Sequence, residues 1–155
     1  MTRVVVIGVG NTFRHDDGVG PAVILALRQQ GLTDVELADS DGEATRLLDL
    51  WAEADLAIVV DAVRTLSAPP GTVHRRSLLH PSFGRVGLGA SHAADLGDAV
   101  ALAAALDRLP TQLLLYAVEA ADTSLGVGLS PPVADAVVQL IDEIVEEVTW
   151  RPARP

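Results

Sequence analysis

Three positions in this chain have the residue types and the placement to do chemistry together. Asp17 closes the polar stretch His15-Asp16-Asp17, which follows the glycine-rich run Gly8-Val9-Gly10-Asn11. Asp61 ends the apolar run Leu56–Asp61, LAIVVD, and His92 opens a segment with helical apolar spacing. Two carboxylates and an imidazole can do two jobs. They can bind a borderline metal ion through three ligands and leave a position open for water or substrate. Alternatively, two close carboxylates share one proton, because neighbouring like charges do not both ionise cheaply, and act as an acid–base pair on water.

Each residue also has a plainer reading. An Asp at the end of a parallel strand can anchor a loop. Asp16 and Asp17 can complement the dipole of a following helix, and His92 can act as an N-terminal cap. His74 and His80 read as surface residues. Ser91 beside His92 is not a triad signal, since adjacent side chains point apart.

The elements that must position these groups follow from periodicity. Arg3–Val9 is a β-rich run closed by glycines, read as a buried strand and a tight loop. A helix is expected from about Asp17 or Pro21 to Gln30, with Val19, Val23, Ala26 and Leu27 on one face and Gly31 stopping it. Val35–Asp39 is a short strand, Gly42–Ala54 a helix, and Leu56–Asp61 a central parallel strand. Ala62–Gly71 is too short for a helical crossover. Thr72–Leu78 alternates, with Val73, Arg75 and Ser77 opposite His74, Arg76 and Leu78. It reads as an antiparallel edge strand blunted by charge. A Gly-, Ser- and Pro-rich loop then runs from Leu79 to Ser91, followed by a helix to about Leu106 and a strand over Gln112–Val118. The last helix is capped and started by Ser130-Pro131. It places Val133, Val137, Leu140, Ile144 and Val148 on an apolar face and Asp135, Asp142, Glu143, Glu146 and Glu147 on an acidic one.

The pattern β-α-β-α-β-β-α-β-α implies a five-stranded, mostly parallel sheet between helix layers. Ligands bind beyond the carboxyl ends of strands in such sheets. Right-handed crossovers put strands one and three side by side, which brings Asp17 and Asp61 toward one another with His92 closing the set. Residues 1–150 are read as one domain and 151–155 as a tail.

Composition narrows the function classes. The chain has 155 residues, 49% hydrophobic and 21% charged, which suits one folded core built mainly from aliphatic residues. Its net charge is −10, and all 11 basic residues are Arg. An acidic surface repels phosphate backbones, so no nucleic-acid partner is expected. There is no Cys, which excludes disulfides, zinc–thiolate sites and a cysteine nucleophile. The apolar run near the N-terminus is too short for a signal-peptide core, and no stretch approaches a membrane span. A cytoplasmic protein without a membrane partner is expected. Gly8-Val9-Gly10 invites a dinucleotide reading with Asp39 as a ribose ligand. The third glycine of that fingerprint is missing, however, because position 13 is Phe.

The segment Gly8-Val9-Gly10-Asn11 followed by Asp16-Asp17-Gly18-Val19-Gly20 resembles the GxGNxxxxDDGxG block of the nickel–iron hydrogenase maturation proteases. Val60-Asp61-Ala62, Ser91-His92 with Leu96, and Gly128-Leu129-Ser130-Pro131 resemble later blocks of that family in the same order, over about residues 3–148. The resemblance implies a three-layer αβα fold, phosphorylase/hydrolase-like, with a mixed five-stranded sheet. It implies an endopeptidase that removes a C-terminal extension from the hydrogenase large-subunit precursor once nickel is in place. Family members engage nickel through two acidic residues and a histidine, at positions matching Asp17, Asp61 and His92. The nickel comes with the substrate, and no tightly bound organic cofactor is implied. One departure lies after strand two, where many members have a Gly-Thr-containing loop and this chain has Asp39-Ser40-Asp41-Gly42-Glu43. A non-cleaving, nickel-dependent docking or chaperone module for the same precursor, and a nucleotide-binding enzyme, are the alternative readings.

Overall fold

The run Val-Val-Val-Ile-Gly-Val is short, β-branched and without a polar residue, which suits a strand covered on both faces. In the computed structural model, which describes residues 2–79 and 91–150 (the side chains of 91–95 and 150 excepted), it forms β1, Val4–Val9, with every residue buried. β1 pairs in parallel with β2 (Val35–Ser40) and β3 (Leu56–Val63). β3 pairs in parallel with β5 (Gln112–Glu119), and β4 (Val73–Ser77) runs antiparallel along the edge of β5. The strand order is β2-β1-β3-β5-β4. Strands one and three are neighbours, and the five-stranded mixed sheet is the expected one.

Side-chain alternation along these strands feeds two cores. Val4, Val6, Ile58, Val60, Tyr116 and Val118 face α1 (Val19–Arg28) and α4 (Pro131–Trp150). Val5, Ile7, Val59, Val63, Leu115 and Ala117 face α2 (Ala44–Trp51) and α3 (Ser91–Ala105). Helices on both faces complete the αβα layers. Among the described residues no helix is long and apolar enough to cross a membrane.

Several boundaries differ from the sequence reading, each for a local reason. β3 runs two residues past Asp61, because Ala62 and Val63 continue the ladder opposite Val118 and Glu119. The stretch ahead of α1 is a separate 3-10 turn, His15–Gly18. α1 itself ends at Arg28, and Gln29 and Gln30 close on Ala26 and Leu27 in tight i→i−3 bonds. α2 starts at Ala44 because the Glu43 carboxylate caps the N–H groups of Thr45 and Arg46. It stops at Trp51, since Ala52 is extended and Glu53 has φ 63°. Ser130 does stand before the last helix, but its hydroxyl donates to Asp16. His80, most of the Leu79–Ser91 loop and the 151–155 tail lie outside the described residues.

Candidate active site

The loop leaving β1 is shaped by glycines that allow three backbones to meet. A Cβ on Gly8 would lie 2.4 Å from the Gly20 carbonyl oxygen. One on Gly20 would lie 2.4 Å from that of Val9 and 2.7 Å from that of Val60. Side chains there have no room, so the start of α1 presses directly onto β1 and β3. Gly10 has φ 144°, and a Cβ on it would fall 1.9 Å from the Asp17 carbonyl oxygen. The spacing of the glycines is therefore the packing code that holds the 3-10 turn, and Asp17 with it, against the ends of two strands.

Asp17 is half-buried, and its carboxylate accepts the Asn11 N–H at 2.9 Å. Asn11 in turn accepts the Phe13 N–H at 2.9 Å, an Asx turn that fixes the loop. Asp61 is almost fully buried, and its Oδ1 accepts the Ala62 N–H at 2.8 Å. It lies one residue beyond the point where β1 stops pairing with β3, at Gly8 opposite Val60. By strand alternation it belongs to the face covered by α2 and α3. α3 packs on that face through Leu96, Ala99 and Ala103. His92 is in its first turn, and its side chain lies outside the described residues.

A cleft of about 490 Å³ opens over the carboxyl ends of the parallel strands. Asn11, Arg14 and Asp17 line it from the β1 loop, Ala62, Val63 and Arg64 from the end of β3, and Ala120 and Thr123 from the β5 loop. Asp41 reaches it from the loop after β2, the segment that departs from the family pattern. Among the described residues no group of three His, Cys, Asp or Glu side chains is placed to hold a metal ion.

The neighbouring carboxylates are not equivalent. Asp16 and Asp17 both stand in the 3-10 turn just before α1, whose N-cap, Gly18, has no side chain. Asp16 is fully buried and accepts from the N–H groups of Ala121, Asp122 and Ser130 and from the Ser130 hydroxyl, at 2.7–3.0 Å. Burial pushes its carboxyl up, but these donors outweigh it and hold the group below its ordinary value. Asp16 is thus the tie between the β1 loop and the loop entering α4, which leaves Asp17 to face the cleft.

Besides Asp16 and Asp61, a third carboxylate is buried, one that the sequence reading passes over. Glu119, at the end of β5, accepts from the Thr65 N–H at 3.1 Å, from the Thr65 hydroxyl, and bonds His74 Nε2 at 2.6 Å. Burial raises its carboxyl, and the Thr65 and His74 bonds bring it below its ordinary value. His74 is accordingly a half-buried partner on β4, and not the surface residue that its place in an alternating edge strand suggests. The signal was available: LLLYAVE is an apolar run ending in a carboxylate, as LAIVVD is.

The dinucleotide reading finds little room here. The Gly10 N–H is committed to the Ser40 carbonyl and the Asn11 N–H to the Asp17 carboxylate, so neither donor is left to cradle a phosphate. Asp39 is exposed and 3.8 Å from Arg28.

Residues 21–147 match the family model described as HycI, hydrogenase maturation protease. The chain belongs to the hydrogenase maturation protease family. This is a family of peptidases, and its matched span contains Asp61 and His92 and begins just after Asp17. The chain is 30% identical to the hydrogenase expression/formation protein HupD of Thiocapsa roseopersicina over 152 residues, covering 93% of this chain and 66% of that protein. It is 25% identical to the hydrogenase 2 maturation protease of Escherichia coli (strain K12), covering 92% of this chain and 88% of the relative. In three dimensions it superposes on the hydrogenase maturating endopeptidase HybD from E. coli with a TM-score of 0.84, at 23% identity, over 98% of this chain and 94% of the other. That last likeness carries the maturation-protease fold.

Proposed function

We propose that this maturation protease is a cytoplasmic endopeptidase that removes the C-terminal extension of a nickel–iron hydrogenase large-subunit precursor after nickel insertion. The observation that carries the reading is the cleft itself. In a chain of this family, Asp17 and the residues directly after Asp61 line one opening at the carboxyl ends of β1 and β3.

In this reading the nickel is part of the substrate. Asp17, Asp61 and His92 engage it, a donor set of hard oxygens and an imidazole that leaves coordination positions to the substrate's own ligands. Holding the ion fixes the precursor and places one peptide bond in the cleft, which turns a bimolecular encounter into a positioned one. An Asp17 or Asp61 carboxylate then takes a proton from water as its oxygen adds to the scissile carbonyl carbon, and returns that proton to the amine nitrogen as the C–N bond breaks, with the substrate's metal as the alternative source of water activation. Backbone N–H groups of Asn11 and Ala62 donate to the Asp17 and Asp61 carboxylates and orient them.

Intact-mass measurement of a cognate nickel-loaded precursor, before and after incubation, tests this. A single C-terminal loss is expected with the wild type and none with Asp17→Asn. Binding of the precursor without any mass loss would favour the non-cleaving docking module instead.

A further inference from the structure

Eight large apolar side chains are exposed among the described residues, and half of them lie on loops whose other residues line the cleft. Leu25, Leu102, Leu106 and Val138 lie on or beside helices, well apart in the chain. Phe13, Leu125 and Val127 are 67%, 80% and 74% exposed, and Leu66 is 85% exposed, all on loops at the carboxyl end of the sheet. Scattered single exposures need no explanation, whereas clustered ones beside a site mark an interaction surface.

The backbone makes three of these residues into one unit. Gly126 donates to the Phe13 carbonyl and accepts from the His15 N–H, each at 2.9 Å, and Arg14 pairs with Gly126 as an isolated bridge. Phe13 therefore lies beside Leu125, and Val127 follows on the same segment. The His15 ring fills the space over Gly126, where a Cβ would sit 2.1 Å from Nε2, and His15 Nδ1 lies 3.0 Å from the Gly128 carbonyl oxygen. The buried Asp16 then bolts both segments together through its four bonds. Leu66 is held on a second rim by the bonds from its neighbour Thr65 to Glu119, and it has φ 61°, a conformation unfavourable for leucine. Two buried carboxylates thus immobilise loops that hold apolar side chains out in water. Such preorganisation lowers the ordering cost of binding.

We propose that Phe13, Leu125 and Val127 form a docking surface for an apolar segment of the protein substrate, next to the peptide bond held in the cleft. This rests on the endopeptidase reading. The occupant follows from continuity: Asn11, Arg14 and Thr123, on the same two segments, line the cleft. A cleft of about 490 Å³ is the size that encloses one small ligand, so a polypeptide seated in it must leave across this rim. A second copy of the chain is the poorer occupant, because each copy carries a net charge of −10.

The test replaces Phe13, Leu125 and Val127 together by Ser, with Leu25→Ser plus Val138→Ser as the control. Cleavage kinetics of a nickel-loaded precursor and equilibrium binding of the nickel-free precursor, which stays uncut in this reading, are measured for each. The triple variant is expected to melt with the wild type, to raise KM and weaken binding at least tenfold, and to alter kcat less than twofold; the control leaves KM in place. Binding without cleavage by the wild type, weakened by the triple substitution, would sustain the docking surface and sink the endopeptidase. Cleavage with KM unmoved in the triple variant would overturn the docking surface alone. Wild-type protein that neither binds nor cuts would overturn both, and a dimer abolished by the triple substitution would reassign the surface to self-association.

Discussion

The Asp16 carboxylate accepts both the backbone N–H and the hydroxyl of Ser130, at 2.7 and 2.8 Å, across 114 residues of chain. One buried side chain thereby couples the loop after β1 to the start of α4. Asp16→Ala leaves four buried or part-buried donors to find new partners. An unsatisfied buried donor costs about 1–3 kcal/mol. The variant is expected to lose about 3 kcal/mol of stability, which for a domain of this size lowers Tm by about 10 °C. Differential scanning calorimetry checks it; a Tm within 2 °C or so of wild type would contradict the account.

Acid should loosen the same ties. Asp16 and Glu119 both titrate below their ordinary values of 3.8 and 4.5 in the folded protein. A carboxyl with a depressed folded pKa contributes stability that is present above its unfolded pKa and is lost as pH falls through the folded one. The contribution is therefore full above about pH 5 and fades below about pH 4. In a Tm-against-pH series, Glu119→Gln is expected to show a shallower fall than wild type below pH 4. Parallel curves would remove Glu119 from the explanation.

Gly20 carries the close approach of α1 to the sheet. In Gly20→Ala the new Cβ meets only backbone atoms, of Val9 and Val60, at 2.4–2.7 Å, and no flexible side chain can yield. Overpacking of this kind costs about 1–3 kcal/mol. Loss of stability at the upper end of that range is expected, together with displacement of Asp17, so activity should fall by more than the loss of folded protein explains. Denaturant unfolding beside specific activity separates the two effects.

Much of this was legible in the sequence. Unbroken apolar runs gave β1 and β3, and a ten-residue gap with two prolines ruled out a helix before β4, which made that strand antiparallel. What escaped was mostly pairing between distant residues. Nothing in the spacing of His74 and Glu119 says that they meet, because that contact exists only once β4 lies along β5. Asp16 and Asp17 were indistinguishable as letters, and the 3-10 turn decides which faces inward. Helix ends slipped where a single side chain sets them, as the Glu43 cap does for α2.

Asp17→Asn preserves an oxygen that can accept the Asn11 N–H, so stability should change by less than about 1 kcal/mol, while loss of the carboxylate removes a metal donor and a proton acceptor. Cleavage is expected to fall at least about 100-fold, the lower range for losing a positioned acid–base group. Circular dichroism melts with single-turnover cleavage check both halves. An unfolded variant, or one that cuts at the wild-type rate, would contradict the assignment.

The most direct measurement is the intact mass of a large-subunit precursor, prepared with and without nickel and incubated with this protein. One discrete C-terminal loss is expected from the nickel-loaded form, none from the nickel-free form, and none from either with Asp17→Asn. Equal cleavage of both forms, or none of a confirmed cognate nickel-loaded precursor, would contradict it.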